Sequence, residues 1–180
     1  MDLITALDGT FQHTHDVISA VPSTELDGAT PCDEWKVRDL LEHMIGVVAG
    51  LGAAASGTAA SPFALGDDPG AQFEGVAKTT LDAWRAPGTL DRIIDGPAGA
   101  MPGRVYAGIN LLDTATHSWD LATACGLPSA LPDDIAEFAL EVSRQTIAPE
   151  IRVGRFAPEV RAPSGCSATE ALVAFLGRNP

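Results

Sequence analysis

The chain has 180 residues, 46% of them hydrophobic and 19% charged. That is enough apolar sequence for one compact core, and it excludes a disordered polar segment. Eleven Lys and Arg stand against 24 Asp and Glu, a formal net charge of −13, which disfavours nucleic acid and anionic membrane surfaces as partners.

A first helix is expected over residues 2–20, where Leu3, Leu7, Phe11, His15 and Ile18 recur at spacings of three and four, with Pro22 as its stop. A loop follows and ends in Thr30-Pro31-Cys32-Asp33. Asp33 is a candidate N-cap, with a start a few residues later as the alternative, for a second helix carrying Trp35, Val37, Leu40, Leu41, Met44, Ile45 and Val48. Residues 56–70 are rich in Gly, Ser, Pro and Asp and read as a surface loop. Phe73, Val76, Ala77, Leu81 and Trp84 mark a third helix, closed by Pro87-Gly88. Residues 87–103 read as a loop with one short extended piece at Arg92–Ile94. A fourth helix is expected from about 104 to 125, with Gly126 as its C′ residue. Asp133 or Asp134 opens a fifth, with Ile135, Phe138, Ala139 and Val142 on one face. The tail 151–163 reads as irregular, and Ser167-Ala168-Thr169-Glu170 is a capping box for a short last helix, Ala171 to Leu176. Strand-type alternation is nearly absent. The expected class is all-α, with one domain over 1–180.

No apolar run approaches the roughly 18 residues needed to span a bilayer; the nearest, Met44 to Ala55, holds three glycines. The N-terminus lacks the basic and apolar regions of a signal peptide, so the expected compartment is the cytoplasm. Cys32, Cys125 and Cys166 are far apart and form no C-x-x-C pair. Neither a disulfide framework nor a thiolate zinc site is expected.

The chemistry concentrates in Asp113-Thr114-Ala115-Thr116-His117-Ser118-Trp119-Asp120. On a helix, residues 113 and 117 share a face one turn apart, and Asp120 follows at i+3 from His117. A second histidine, His43, sits between apolar neighbours on the second helix. An Asp–His pair at i,i+4 can be a hydrogen bond on a solvated face, and a lone buried histidine can be a satisfied core residue. Two imidazoles and a carboxylate are also the donor set of a divalent metal with open coordination positions. Asp120 would then orient an imidazole from behind. On spacing alone both readings stay open. His13 and His15 are two apart and face different sides of the first helix. His15 shares the apolar stripe, His13 is expected in solvent, and neither joins the site.

Three segments resemble a known family. Thr30-Pro31-Cys32-x-x-Trp35-x-Val37-Arg38-Asp39-Leu40-Leu41-x-His43 is similar to its N-terminal signature. Asp113-x-x-x-His117-x-Trp119-Asp120-Leu121-Ala122 is similar to its central one. Phe156-Ala157-Pro158-Glu159-Val160 and Ala174-Phe175-Leu176-Gly177-Arg178-Asn179-Pro180 are similar to its tail. The chain thus resembles a metal-binding family within the mycothiol-dependent maleylpyruvate isomerase and DinB-like superfamily. The resemblance implies a DinB-like four-helix bundle, here with an extra short C-terminal helix, and one divalent metal between helices. Zinc is the first choice, with nickel and iron as alternatives. The implied ligands are His43, Asp113 and His117. In the better-studied isomerase the acidic ligand is Glu; Asp113 is one methylene shorter, which draws the ion toward its helix or leaves a water to bridge it.

The resemblance further implies a low-molecular-weight thiol, mycothiol or a relative, as cofactor, and isomerase or S-transferase chemistry on a small electrophile. The alternative is a metal- and thiol-binding stress or detoxification module without turnover. Trp35, Met101, Arg104 and Trp119 are the expected walls of the thiol or substrate pocket, with Arg104 suited to a substrate carboxylate. A homodimer is compatible with the sequence. Cys32 is the lesser choice for a nucleophile, and no catalytic residue is assigned.

Overall fold

The computed structural model describes residues 1–33, 35–147, 152 and 156–180. Among them are six α-helices and one β-hairpin: α1 (Leu3–Ala20), α2 (Val37–Ser56), α3 (Pro69–Arg85), β1 (Ile93–Gly96), β2 (Gly99–Pro102), α4 (Gly103–Cys125), α5 (Asp133–Thr146) and α6 (Ala168–Phe175). The protein is mostly helical, as expected. No helix among the described residues is long and apolar enough to cross a membrane.

The first four helices form the bundle. α1 and α2 each pack against both α3 and α4, so α1 and α2 lie diagonally opposite. The shared core holds Phe11 and Leu7 from α1, Leu41 and Ile45 from α2, Phe73 and Trp84 from α3, and Tyr106 and Leu111 from α4. Each large apolar side chain buried there contributes roughly 1.5–3 kcal/mol before the entropy of ordering it. Phe11 meets Phe73 edge to face at 5.7 Å between ring centres. Trp84 buries its indole and donates Nε1–H to Asn110 Oδ1 at 3.2 Å, so a polar pair ties α3 to α4 inside the apolar layer. α5 packs on α4, α1 and α6.

Helix ends follow local chemistry. Asp2 caps α1, accepting from Ile4 N and Thr5 N at 3.0 Å each. Asp68 caps α3, accepting from Ala71 N at 3.0 Å. The second helix starts at Val37, the later of the two starts open from the sequence. Ahead of it Ala29 is bridged to Lys36 and Val37 N donates to Gly28 O at 3.0 Å. Asp39 then accepts from Lys36 N at 2.9 Å. α6 begins at Ala168 behind the Ser167–Glu170 capping box, earlier than Ala171.

The 87–103 segment is more ordered than a loop with one extended piece. Ile93–Gly96 pairs antiparallel with Gly99–Pro102. Tyr106 organises the turn: its hydroxyl donates to Gly99 O at 2.6 Å and accepts from Ala98 N at 3.0 Å. A Cβ on Gly96 would lie 2.6 Å from the Tyr106 ring, so only glycine lets the hairpin rest on that ring. The expected irregular tail lies partly outside the described residues; from Phe156 to Pro163 the chain is without helix or strand, as expected, and a turn follows at Ser164–Gly165.

Candidate metal centre

α2 and α4 run antiparallel. The end of α2 approaches β1, which leads into α4, and the Ala55 carbonyl there accepts from Arg92. His43, in the first half of α2, is therefore level with the later part of α4. His43 Nε2 lies 3.4 Å from Asp113 Oδ1, and His117 Nε2 lies 3.7 Å from the same oxygen. One donor atom from each of His43, Asp113 and His117 falls within 4.8 Å of the others. The imidazole planes are nearly perpendicular, with centres 4.9 Å apart.

The donor set fits a divalent ion. Ligands about 2.0–2.1 Å from a tetrahedral ion are roughly 3.4 Å from one another, which is the spacing of Asp113 Oδ1 from the two ring nitrogens. Asp113 Oδ2 is buried and has no hydrogen-bond partner, an arrangement that costs free energy unless something else satisfies it. Without an ion, the His43 ring can donate to Oδ1, but that leaves Oδ2 unexplained.

Behind His117 stands a polar network. Asp120 is fully buried, and its Oδ2 accepts from His117 Nδ1 at 2.9 Å. That bond places the proton on Nδ1 and leaves the Nε2 lone pair facing His43 and Asp113. Arg178 grips the same carboxylate side-on, Nε to Oδ1 at 3.0 Å and Nη2 to Oδ2 at 2.7 Å. Burial alone would push the Asp120 carboxyl up; the bonds from His117 and Arg178, together with their charge, hold it below the usual carboxylate range.

Cys32 joins from the turn before α2. Thr30 Oγ1 accepts from Cys32 N at 3.1 Å, and this hydroxyl also lies within hydrogen-bond distance of the Cys32 and Trp35 carbonyls. The turn so held brings Cys32 Sγ to 3.2 Å from Asp120 Oδ2 and 3.8 Å from Arg178 Nη2. Burial, reinforced by the Asp120 charge, pushes the thiol up to about 12. It is a protonated donor to Asp120 and not a nucleophile at neutral pH. Cys32, His117 and Asp120 also come close enough to hold an ion, but the protonated thiol and the Asp120–Arg178 pair fill that second arrangement with hydrogen bonds.

Trp35 covers the imidazoles, 4.7 Å from the His43 ring and 6.0 Å from that of His117. A cavity of about 350 Å³ opens beside Asp113 and His117, and Met101 from β2 forms part of its wall. Arg104 does not face it. Its side chain is exposed and pairs with Asp91, because it sits in the first turn of α4 on the side turned to the 88–92 loop. Trp119 is buried but is not part of the cavity wall; two residues beyond His117, it points to another side of α4. His13 and His15 lie outside the site, though His13 is less solvated than expected, with Nε2 buried and unpartnered. Arg178 is the functional residue that spacing arguments miss. Its signal is the Gly177 before it, whose φ of 90° turns the chain after α6. A Cβ there would lie 2.7 Å from Ala157.

Residues 10–122 match the model of the mycothiol maleylpyruvate isomerase N-terminal domain. Two uncharacterized proteins of Mycobacterium tuberculosis, one from each of two strains, are 34% identical over 164 residues, which covers 90% of this chain and 90% of each relative. The crystal structure of the mycothiol-dependent maleylpyruvate isomerase superposes with a TM-score of 0.58 at 15% identity, covering 78% of this chain and 68% of that one. That of a histidine-to-alanine mutant of the enzyme gives 0.55 at 13%. At these identities the likeness is one of fold.

Proposed function

The chain belongs to the mycothiol maleylpyruvate isomerase N-terminal domain family, and from that premise we propose that it is a divalent-metal protein using a low-molecular-weight thiol, mycothiol or a relative, in isomerase or S-transferase chemistry on a small electrophile. The observation that carries this reading is the convergence of His43, Asp113 and His117 around a buried, unpartnered carboxylate oxygen. His43 Nε2, His117 Nε2 and an Asp113 oxygen would hold the ion, zinc before nickel or iron. When bound, it supplies a Lewis acid that favours the ionised form of a thiol near neutral pH.

The remaining work falls to this chain's own residues. Asp120 holds the His117 ring in one tautomer, and Arg178 holds Asp120. Trp35 packs beside both imidazoles. Asp113 and His117 form the end wall of the cavity, so a reactant in it lies against the donor set. Cys32 donates to Asp120 and stays out of the reaction. Packing of α5 against α1 and α4 supports one functional unit over 1–180.

Elemental analysis tests the reading. Purified protein reconstituted with zinc should carry one metal per chain, and His43→Ala should lose it while remaining helical by circular dichroism. The metal-loaded chain should then consume mycothiol with at least one of a panel of electrophiles. No metal uptake with zinc, nickel or iron, or a His43→Ala protein that retains its metal, refutes the site. Thiol binding without turnover refutes the enzyme.

A further inference from the structure

Just ahead of α2 the chain is pinned by its backbone, with Val37 N donating to Gly28 O and Arg38 N to Leu26 O, each at 3.0 Å. From this segment Cys32 reaches the candidate metal centre through Asp120, and Trp35 reaches it by packing on the imidazoles. Both trace back to one hydroxyl. Thr30 Oγ1 accepts from Cys32 N at 3.1 Å, and it lies 3.1 Å from Cys32 O and 3.0 Å from Trp35 O. Its single proton serves one carbonyl. Cys32 O already accepts from Trp35 N at 3.1 Å, which assigns the proton to Trp35 O, the nearer of the two. The hydroxyl thus ties the amide of Cys32 to the carbonyl of Trp35. Beyond Cys32, Asp120 Oδ2 collects three donors: Arg178 Nη2 at 2.7 Å, His117 Nδ1 at 2.9 Å and Cys32 Sγ at 3.2 Å. A shift of Cys32 therefore disturbs the carboxylate that fixes the His117 ring.

We infer that Thr30 is a positioning residue for both imidazoles of the centre: its hydroxyl holds Cys32 on Asp120, which orients His117, and it holds the backbone of Trp35, whose indole backs the His43 ring. This deepens the proposed function and rests on it only for what the two rings are positioned to hold; the positioning itself is a property of the metal-free chain. Replacing the hydroxyl by a methyl group leaves Cys32 N without its acceptor and Trp35 O without its donor. Arg178 still grips Asp120, so the effect on metal affinity falls at the low end of the range for supporting residues, about tenfold.

The test compares the full unaltered chain with Thr30→Val, which keeps the shape and removes the hydroxyl, and Thr30→Ser, which restores it. Three signatures are read without metal. The Cys32 S–H stretch in the infrared, assigned by its loss in Cys32→Ala, should lie below that of ethanethiol in an apolar solvent, rise in Thr30→Val and return in Thr30→Ser. Nitrogen-15 spectra should place the His117 proton on Nδ1 in the unaltered and serine forms and show a mixture of tautomers in the valine form. The His43 ring and Trp35 indole resonances should move together in Thr30→Val and recover in Thr30→Ser. Zinc affinity, read by competition with a chelator, should fall about tenfold in Thr30→Val and recover with serine. An S–H stretch in the unaltered chain no lower than that of ethanethiol would overturn the inference. So would a folded Thr30→Val with unchanged His117 and His43 spectra, or changes that serine does not reverse. If Thr30→Val does not fold, Cys32→Ala carries the test: a mixture of His117 tautomers supports the inference and an unchanged spectrum overturns it. Failure of the unaltered chain to take up zinc, with the metal-free signatures moving as stated, sinks only the proposed function. Unmoved signatures in a chain that binds one zinc sink only the positioning role.

Discussion

Arg178→Ala tests how the site is held. Asp120 is fully buried and Arg178 is 18% exposed, so removing the guanidinium leaves a carboxylate that is buried and no longer charge-matched. Breaking such a pair costs about 3–5 kcal/mol. Here the low end applies, because Asp120 keeps its bonds from His117 and Cys32 and water can enter from the cavity that Arg178 lines. At about 2–4 °C per kcal/mol for a chain of this size, a loss near 3 kcal/mol lowers Tm by roughly 6–12 °C. The second effect is on the metal. With Asp120 free to turn, the His117 ring loses its fixed tautomer, and changes to such supporting residues typically cost 10–100-fold in metal affinity. Differential scanning calorimetry reads the first effect, and competition with a zinc chelator well below Tm reads the second. Nitrogen-15 shifts of the His117 ring in metal-free protein separate positioning from bulk stability: the unaltered chain should show the proton on Nδ1, and the variant a mixture of tautomers. Arg178→Lys, which keeps charge but loses the side-on grip, should fall between. A variant with Tm within 2 °C, unchanged zinc affinity and an unchanged His117 spectrum would refute the positioning argument.

Gly52→Ala should destabilise the α2–α3 contact by about 1–3 kcal/mol, because the new Cβ would lie 2.3 Å from Thr80 Oγ1 and 3.1 Å from Thr80 Cα; alanine's better helix propensity offsets part of this, and a higher Tm would refute the packing. His13 makes stability depend on pH. Burial lowers its pKa, with Asp16 opposing, so the unfolded chain binds more protons as pH falls below the ordinary histidine value and stability falls with it. Over pH 7 to 5.5, His13→Gln should lose less Tm than the unaltered chain, and parallel curves would exclude His13 as the cause.

Much of the fold is legible in the chain itself because helices are local. The spacing of Phe73, Ala77, Leu81 and Trp84 places α3, and Gly126 with φ 63° ends α4 where an αL cap belongs. What escapes has non-local causes. The hairpin depends on Tyr106, beyond the pair of strands, and on a glycine whose necessity shows only once that ring is in place. Which of the two open starts α2 takes depends on a bridge to Ala29. Asp113 and His117 are legible at i,i+4 on one helix, but His43 is 70 residues away from Asp113, and no spacing rule reaches that far. Arg178 is 58 residues from Asp120, at the end of an apolar helix where an arginine ordinarily meets solvent.

That distribution has a thermodynamic consequence. α2 and α4 must be packed together before the donor atoms of His43, Asp113 and His117 converge, so the site does not exist in the unfolded chain. An ion bound by His43, Asp113 and His117 therefore stabilises the whole fold by RT ln(1 + [L]/Kd), about 2.7 kcal/mol at a hundred times Kd. The ion would bind more tightly while Arg178 holds Asp120, and Asp120 the His117 ring. Loss of that hold and loss of the ion reinforce one another: each lowers the population that the other binds. On the proposed reading, metal affinity would thus report tertiary closure, and the arginine after the last helix would couple the two.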